Sequence, residues 1–174
     1  MDATMARSTA HMFIAHIPAS YLLAKVTAKK HLSLPSLAAL SLGSIFPDID
    51  LLRFYLLDNH QIHHHHYWTH RPFVWACIVL AFTLMAKLAK RKLPAPLWLF
   101  FMSVFLHLAL DTIVGDIGWS WPIYDRSWTL VTIQDTHTIW ILNFFLHWTF
   151  AVEIVICLMA SLVFIRQEGR KYWR

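Results

Sequence analysis

Charge is what this 174-residue chain has least of: 14% of its residues are charged, against 57% apolar ones, and its mean hydropathy is +0.48. A water-soluble domain usually carries about 25% charged residues, so too little polar surface is available to cover a globule in water. A bilayer removes that requirement, because side chains facing lipid need no polar cover. Cysteine is nearly absent. Cys77 and Cys157 lie in separate apolar runs without a CxxC spacing, which excludes a disulfide or zinc-thiolate framework and leaves them as small core or lipid-facing residues. No stretch reads as a signal peptide, an internal repeat or a low-complexity linker. His11, His16 and Pro18 break up the first hydrophobic stretch, and the length suits a single transmembrane domain, residues 1–174. The net charge of +5 does not indicate nucleic acid, since the lysines and arginines cluster beside apolar segments, where juxtamembrane charge accounts for them.

What is present is apolar and aromatic, with nine Trp, five Tyr and twelve Phe, a composition that suits interfacial anchoring. Five apolar segments can be drawn: His11–Ala28, Leu34–Phe46, Phe73–Leu88, Leu97–Val114 and Ile139–Ile165. The expected fold is therefore all-α, a polytopic transmembrane helix bundle of about five membrane segments. The second segment is short, spanning only ~20 Å as helix against a hydrocarbon core of ~30 Å, and is expected to stop below the far surface or to pair with the first as a partly re-entrant hairpin. Lys25, Lys29 and Lys30 close the first segment, Lys87 to Lys92 separate the third from the fourth, and Arg166 to Arg174 follow the fifth. The positive-inside rule places these groups in the cytoplasm, with the N-terminus outside and the C-terminus inside. Trp68, Trp119, Trp121, Tyr124 and Trp128 then fall at the outer interface, as amphipathic rings should.

Ionisable groups within a membrane segment are costly and need a partner, water or a metal. His107 and Asp111, spaced i and i+4, share one helix face. Imidazole with carboxylate suits Zn²⁺ and other borderline divalent ions. Pro47 ends a helix and leaves Asp48 and Asp50 at its mouth, expected in irregular backbone. At ~1.5 Å per residue, Asp48 and Asp111 each lie ~21 Å from the cytoplasmic ends of their segments, and His16 lies at ~18 Å. Three segments thus deliver polar groups to one layer near the outer face. The bland readings are a helix-packing role for His16, a structural pair for His107 and Asp111, and a solvated tract for His60, His63 and His64. Asp58 and Asp125 read as solvated, His137 is undecided, and His147 with Glu153 reads as an interhelical pair or water contact.

The ordered motifs resemble a family of bacterial membrane-bound metal-dependent hydrolases, the LexA-binding, inner-membrane-associated hydrolases. The early histidine looks like His16, the acidic motif like Pro47-Asp48-Ile49-Asp50, and the loop element like His65 to His70 with Thr69 before the second histidine. The helix motif is His107 to Asp111, with Trp121-Pro122 behind it; the match covers roughly residues 11 to 130. Where the family's loop carries Arg-Gly and a final Ser, this chain has His66-Tyr67 and Arg71, so the missing basic role passes to His66 or Arg71.

The resemblance implies a metal-dependent hydrolase of the cell membrane. Asp48, Asp50, His65, His70, His107 and Asp111 are then the expected ligands, with His16 a further one, for one or two divalent ions, Zn²⁺ first. Water acidified by the metal would attack an ester or phosphodiester, with membrane lipid or a lipid-linked molecule as the favoured substrate. Asp50 or Asp116 would orient that water or hold a ligating imidazole. Arg71, Arg53 or Arg126 would meet an anionic headgroup. The family name also implies a cytoplasmic protein partner, for which the basic loop and tail are the available surfaces. The rival is a non-catalytic metal protein, a transporter, channel or sensor; a third reading is a scaffold whose histidines brace helices.

Overall fold

The computed structural model describes residues 12, 14–28, 32–57, 64–133, 136 and 140–172. Among them are seven α-helices: α1 (His16–Ala28), α2 (Leu34–Ile45), α3 (Asp50–Leu56), α4 (Pro72–Leu88), α5 (Ala95–Asp111), α6 (Trp140–Phe145) and α7 (Trp148–Tyr172). Short 3-10 turns at Pro47–Ile49, His64–His66 and Trp68–His70 occupy the passage from α2 to α4. The helix starts are written locally. Ser33 caps α2, its hydroxyl accepting from the Ser36 amide, and α2, α4 and α5 each carry a proline within the first two positions, where the missing N–H costs nothing. Beyond α5 the chain doubles back through one antiparallel bridge, Ile117 with Trp128, and Leu130 and Val131 donate to the carbonyls of Thr112 and Ile113.

Among the described residues, one helix is long and apolar enough to cross a membrane. The stretch Trp148–Gln167 of α7 qualifies, and only 17% of its apolar window is buried inside the protein. A core helix of a soluble protein would be mostly covered, whereas Val155, Leu158, Met159 and Leu162 stand exposed. The helices α2, α4 and α5 are apolar but shorter. At 17 residues, α4 and α5 reach ~25 Å each, a little less than the hydrocarbon core.

Helix α5 is central. It runs along α2 and touches α1 and α4, while α1 also packs on α7. The contact of α2 with α5 depends on small residues, because a Cβ at Gly43 would collide with the Phe100 carbonyl. Trp75, Phe101, Val104 and Leu108 join α4 to α5, and Ala24, Leu40 and Leu99 join α1, α2 and α5. A third cluster, Met12, Ala15, Val114, Ile133 and Phe144, ties the start of α1 to the chain after α5.

Two expectations change. The fifth apolar segment is broken into α6 and α7 at Leu146–His147, where the His147 ring accepts from the Thr149 amide and starts a new helix. Asp48 and Asp50 do not sit in irregular backbone: Asp48 lies in a 3-10 turn and Asp50 opens α3. His60, His63, Asp58 and His137 lie outside the described residues.

Candidate metal centre

The N-terminal end of α1, the C-terminal ends of α2 and α5 and the approach to α4 meet, and the polar residues they carry are buried. His65, His70, His107 and Asp111 are fully buried, Asp50 and His16 nearly so. Asp48 is the partly open member, its side chain 21% exposed.

Four side chains converge. Asp48, His70, His107 and Asp111 each offer a ligand atom, all within 4.8 Å of one another. His107 Nε2 lies 3.0 Å from Asp111 Oδ2, 3.5 Å from Asp48 Oδ1 and 3.4 Å from His70 Nε2. His70 Nε2 lies 3.5 Å from Asp111 Oδ2 and 3.8 Å from Asp48 Oδ1. Atoms bound tetrahedrally at ~2.0–2.1 Å from one ion stand ~3.3–3.4 Å apart, so these separations bracket the edges of such a tetrahedron.

The hydrogen bonds behind the cluster aim the imidazoles. His107 Nδ1 donates to the Ser44 carbonyl at 2.7 Å, which leaves its Nε2 lone pair facing the carboxylates. His70 Nδ1 donates to Asp50 Oδ2 at 2.6 Å, and the Thr69 hydroxyl donates to the same oxygen. A carboxylate behind a ligating histidine fixes its tautomer and ring orientation. Burial opposes the charged form of His70, but hydrogen bonds to Asp111 and Asp50, with their charges, outweigh it and raise its pKa above the ordinary histidine value. The site is rich in negative charge.

Asp48 Oδ1 and both oxygens of Asp111 are buried and receive no backbone or hydroxyl donor among the described residues; Asp111 is faced instead by imidazole nitrogens, His107 Nε2 at 3.0 Å from Oδ2 and His16 Nε2 at 3.3 Å from Oδ1. Buried carboxylate oxygens left this way are costly, and a cation at the common centre would satisfy the inward-facing oxygens of both aspartates at once. The residues therefore fit a divalent ion, in donor type, spacing and charge.

The remaining candidates take other places. His16 Nε2 donates to the Met12 carbonyl at 2.6 Å and lies 3.3 Å from Asp111 Oδ1, while its ring stacks on His107 at 4.0 Å. His65 Nε2 lies 3.8 Å from Asp111 Oδ2, its ring admitted by Gly115, where a Cβ would strike it. These two histidines flank Asp111. Asp50 stands behind His70, one of the two placements left open above. Asp116 is partly buried, and among the described residues no hydrogen bond or ion pair ties it to the cluster. Arg71 lies against Gly118 and the Trp121 ring, and Arg53 and Arg126 lie over Tyr67 and Trp128. Asp125 is 87% exposed, as its reading as solvated requires.

Sequence reasoning missed the Ser44 carbonyl, which no side-chain pattern encodes, and the task of Glu153. The Glu153 carboxylate, fully buried in α7, accepts from the amides of Ile14 at 2.6 Å and Ala15 at 3.1 Å, just ahead of α1. It holds a helix start rather than pairing with His147, whose ring bonds Thr149 instead.

Comparison with known proteins places the chain. The model of the YdjM inner membrane protein family matches residues 8–170. The protein belongs to that family, known as the LexA-binding, inner-membrane-associated hydrolases, which its motifs resemble. Neither a curated protein nor a solved structure matches it.

Proposed function

Starting from membership of the YdjM inner membrane protein family, we propose that the chain is a multi-pass, membrane-embedded metal-dependent hydrolase acting on an ester or phosphodiester of a lipid or lipid-linked substrate. The observation that carries this reading is the convergence of Asp48, His70, His107 and Asp111, with carboxylate oxygens buried and lacking backbone or hydroxyl donors among the described residues. These four would hold the ion, Zn²⁺ being the one their donor set suits best. A divalent ion supplies Lewis acidity, lowering the pKa of a water towards neutrality and polarising the oxygen of the bond to be cut.

The chain's own residues do the rest. Asp50 and the Ser44 carbonyl hold the two imidazoles in the tautomer that presents Nε2. Asp48, the partly exposed member, marks the side on which water and substrate enter. His65 and His16 crowd Asp111 on the closed side. In the proposed topology the N-terminus is outside, the C-terminus is cytoplasmic, and the cluster lies just beneath the outer surface, where a lipid reaches it laterally. Transport is the poorer reading. Outside the cluster and its neighbours, Glu153 is the only other buried ionisable side chain among the described residues, and it is engaged at α1.

The test is metal content per chain in detergent, for the parent protein and for Asp48→Ala and Asp111→Ala. The expected result is about one ion per chain, lost in both variants; unchanged content in both would sink the centre. Turnover of phospholipid and phosphodiester substrates by the loaded protein then separates enzyme from metal binder. Cysteine labelling at Asn59 and Lys90 should give opposite accessibility, with Asn59 outside.

A further inference from the structure

Arg71 follows the candidate ligand His70 directly and caps the N-terminus of α4. Its side chain is only 13% exposed, unlike the exposed Arg53 and Arg126. The guanidinium lies against Gly118, where a Cβ would collide with Nη1, and its Cζ sits 5.6 Å from the Trp121 ring centre. Both contacts belong to the doubled-back segment after α5. That segment is knit by the Ile117–Trp128 bridge and by the Trp119 and Trp128 indoles, which donate to Thr112 and Ser120. A long cation is thus held in one place by a ring and a missing side chain.

Its charge is poorly answered. Among the described residues its one ion pair is with Asp125 Oδ1, at 3.8 Å, and Asp125 is 87% exposed. A contact that long to a solvated acid contributes little and is easily exchanged. The positive end of the α4 dipole lies at the same point and adds to the preference for an anion. Trp119, Ile123, Tyr124 and Trp128 of the same segment stand exposed, side chains suited to the headgroup layer.

We propose that Arg71 receives a phosphate group of the ligand, displacing Asp125 and holding the phosphate with its planar fork beside the metal centre. The proposal rests on the hydrolase reading above and narrows its substrate from esters in general to phosphate-bearing ones. An arginine suits this task because its fork meets two phosphate oxygens at once, and the Trp121 face pre-orients it.

Binding to the purified, metal-assayed protein tests it, with dihexanoylphosphatidylglycerol, inorganic phosphate and dihexanoylglycerol as probes. Arg71→Met should raise Kd for the phospholipid about tenfold or more. It should leave dihexanoylglycerol binding and metal content unchanged. Arg71→Lys should recover part of the loss, and Asp125→Asn should bind the phospholipid as well or better. Competition by inorganic phosphate with the same dependence on Arg71 assigns a free phosphate; absence of competition assigns the headgroup. An unchanged Kd in Arg71→Met, an equal loss of dihexanoylglycerol binding, or an Asp125→Asn loss matching that of Arg71→Met overturns the proposal. Asp48→Ala separates the two readings. If it and Asp111→Ala both keep their metal, the centre is wrong; if metal is lost yet binding still depends on Arg71, the phosphate site stands by itself.

Discussion

Asp111 and Glu153 are both fully buried carboxylates on apolar helices, yet their surroundings differ in kind. Glu153 receives two backbone N–H groups, those of Ile14 and Ala15, at a helix start where such donors are unpaired by construction. Asp111 receives no backbone or hydroxyl donor on either oxygen among the described residues and is ringed by imidazole nitrogens of His16, His65, His70 and His107. A buried acid supplied with donors braces the fold. One surrounded by groups that are themselves potential ligands could hold a cation. The difference is visible only in what faces the oxygens, since both acids carry the same cost of burial.

The sharpest way to break this comparison is to remove each carboxylate and measure metal. Asp111→Ala is expected to abolish stoichiometric metal, whereas Glu153→Ala should keep about one ion per folded chain; metal loss of equal size in both would erase the distinction. Stability should follow the opposite pattern. Glu153→Ala strips two N–H groups of their acceptor and is expected to cost ~2–4 kcal/mol in detergent unfolding, with Glu153→Gln recovering much of it. A Glu153→Ala protein as stable as the parent would show that the α1 start does not depend on it.

The next effect is smaller and concerns orientation. Asp50→Asn keeps the His70 contact but weakens the acceptor behind it, so metal stoichiometry should persist with affinity lowered ~10–100-fold, measured by chelator competition. Full loss of metal would move Asp50 among the ligands. Least of all, Asp125→Asn should leave the unfolding midpoint within experimental scatter, because its only described ion pair is long and solvated.

Much of the fold was legible because hydropathy reads directly onto apolar helices. The bounds of α2 and α4 agree with the drawn segments to within a residue, and those of α5 to within three. The break at Leu146–His147 was not legible. No proline or glycine marks it, and apolar composition sums across a gap that the His147 side chain opens by bonding the Thr149 amide. In the site, the shared layer of His16, Asp48 and Asp111 followed from counting helical rise. The separation of Asp50 from the converging four did not, since it depends on α3 starting at Asp50 and turning its carboxylate towards His70.

By itself the sequence determined the family, the helical segments and the residue types gathered at one end, because these follow from composition, order and rise per residue. Only the tertiary structure decided which oxygens remain without donors and which imidazole nitrogens face inward. Those outcomes hang on backbone groups such as the Ser44 carbonyl and the Ile14 and Ala15 amides, which every residue carries and no sequence pattern distinguishes.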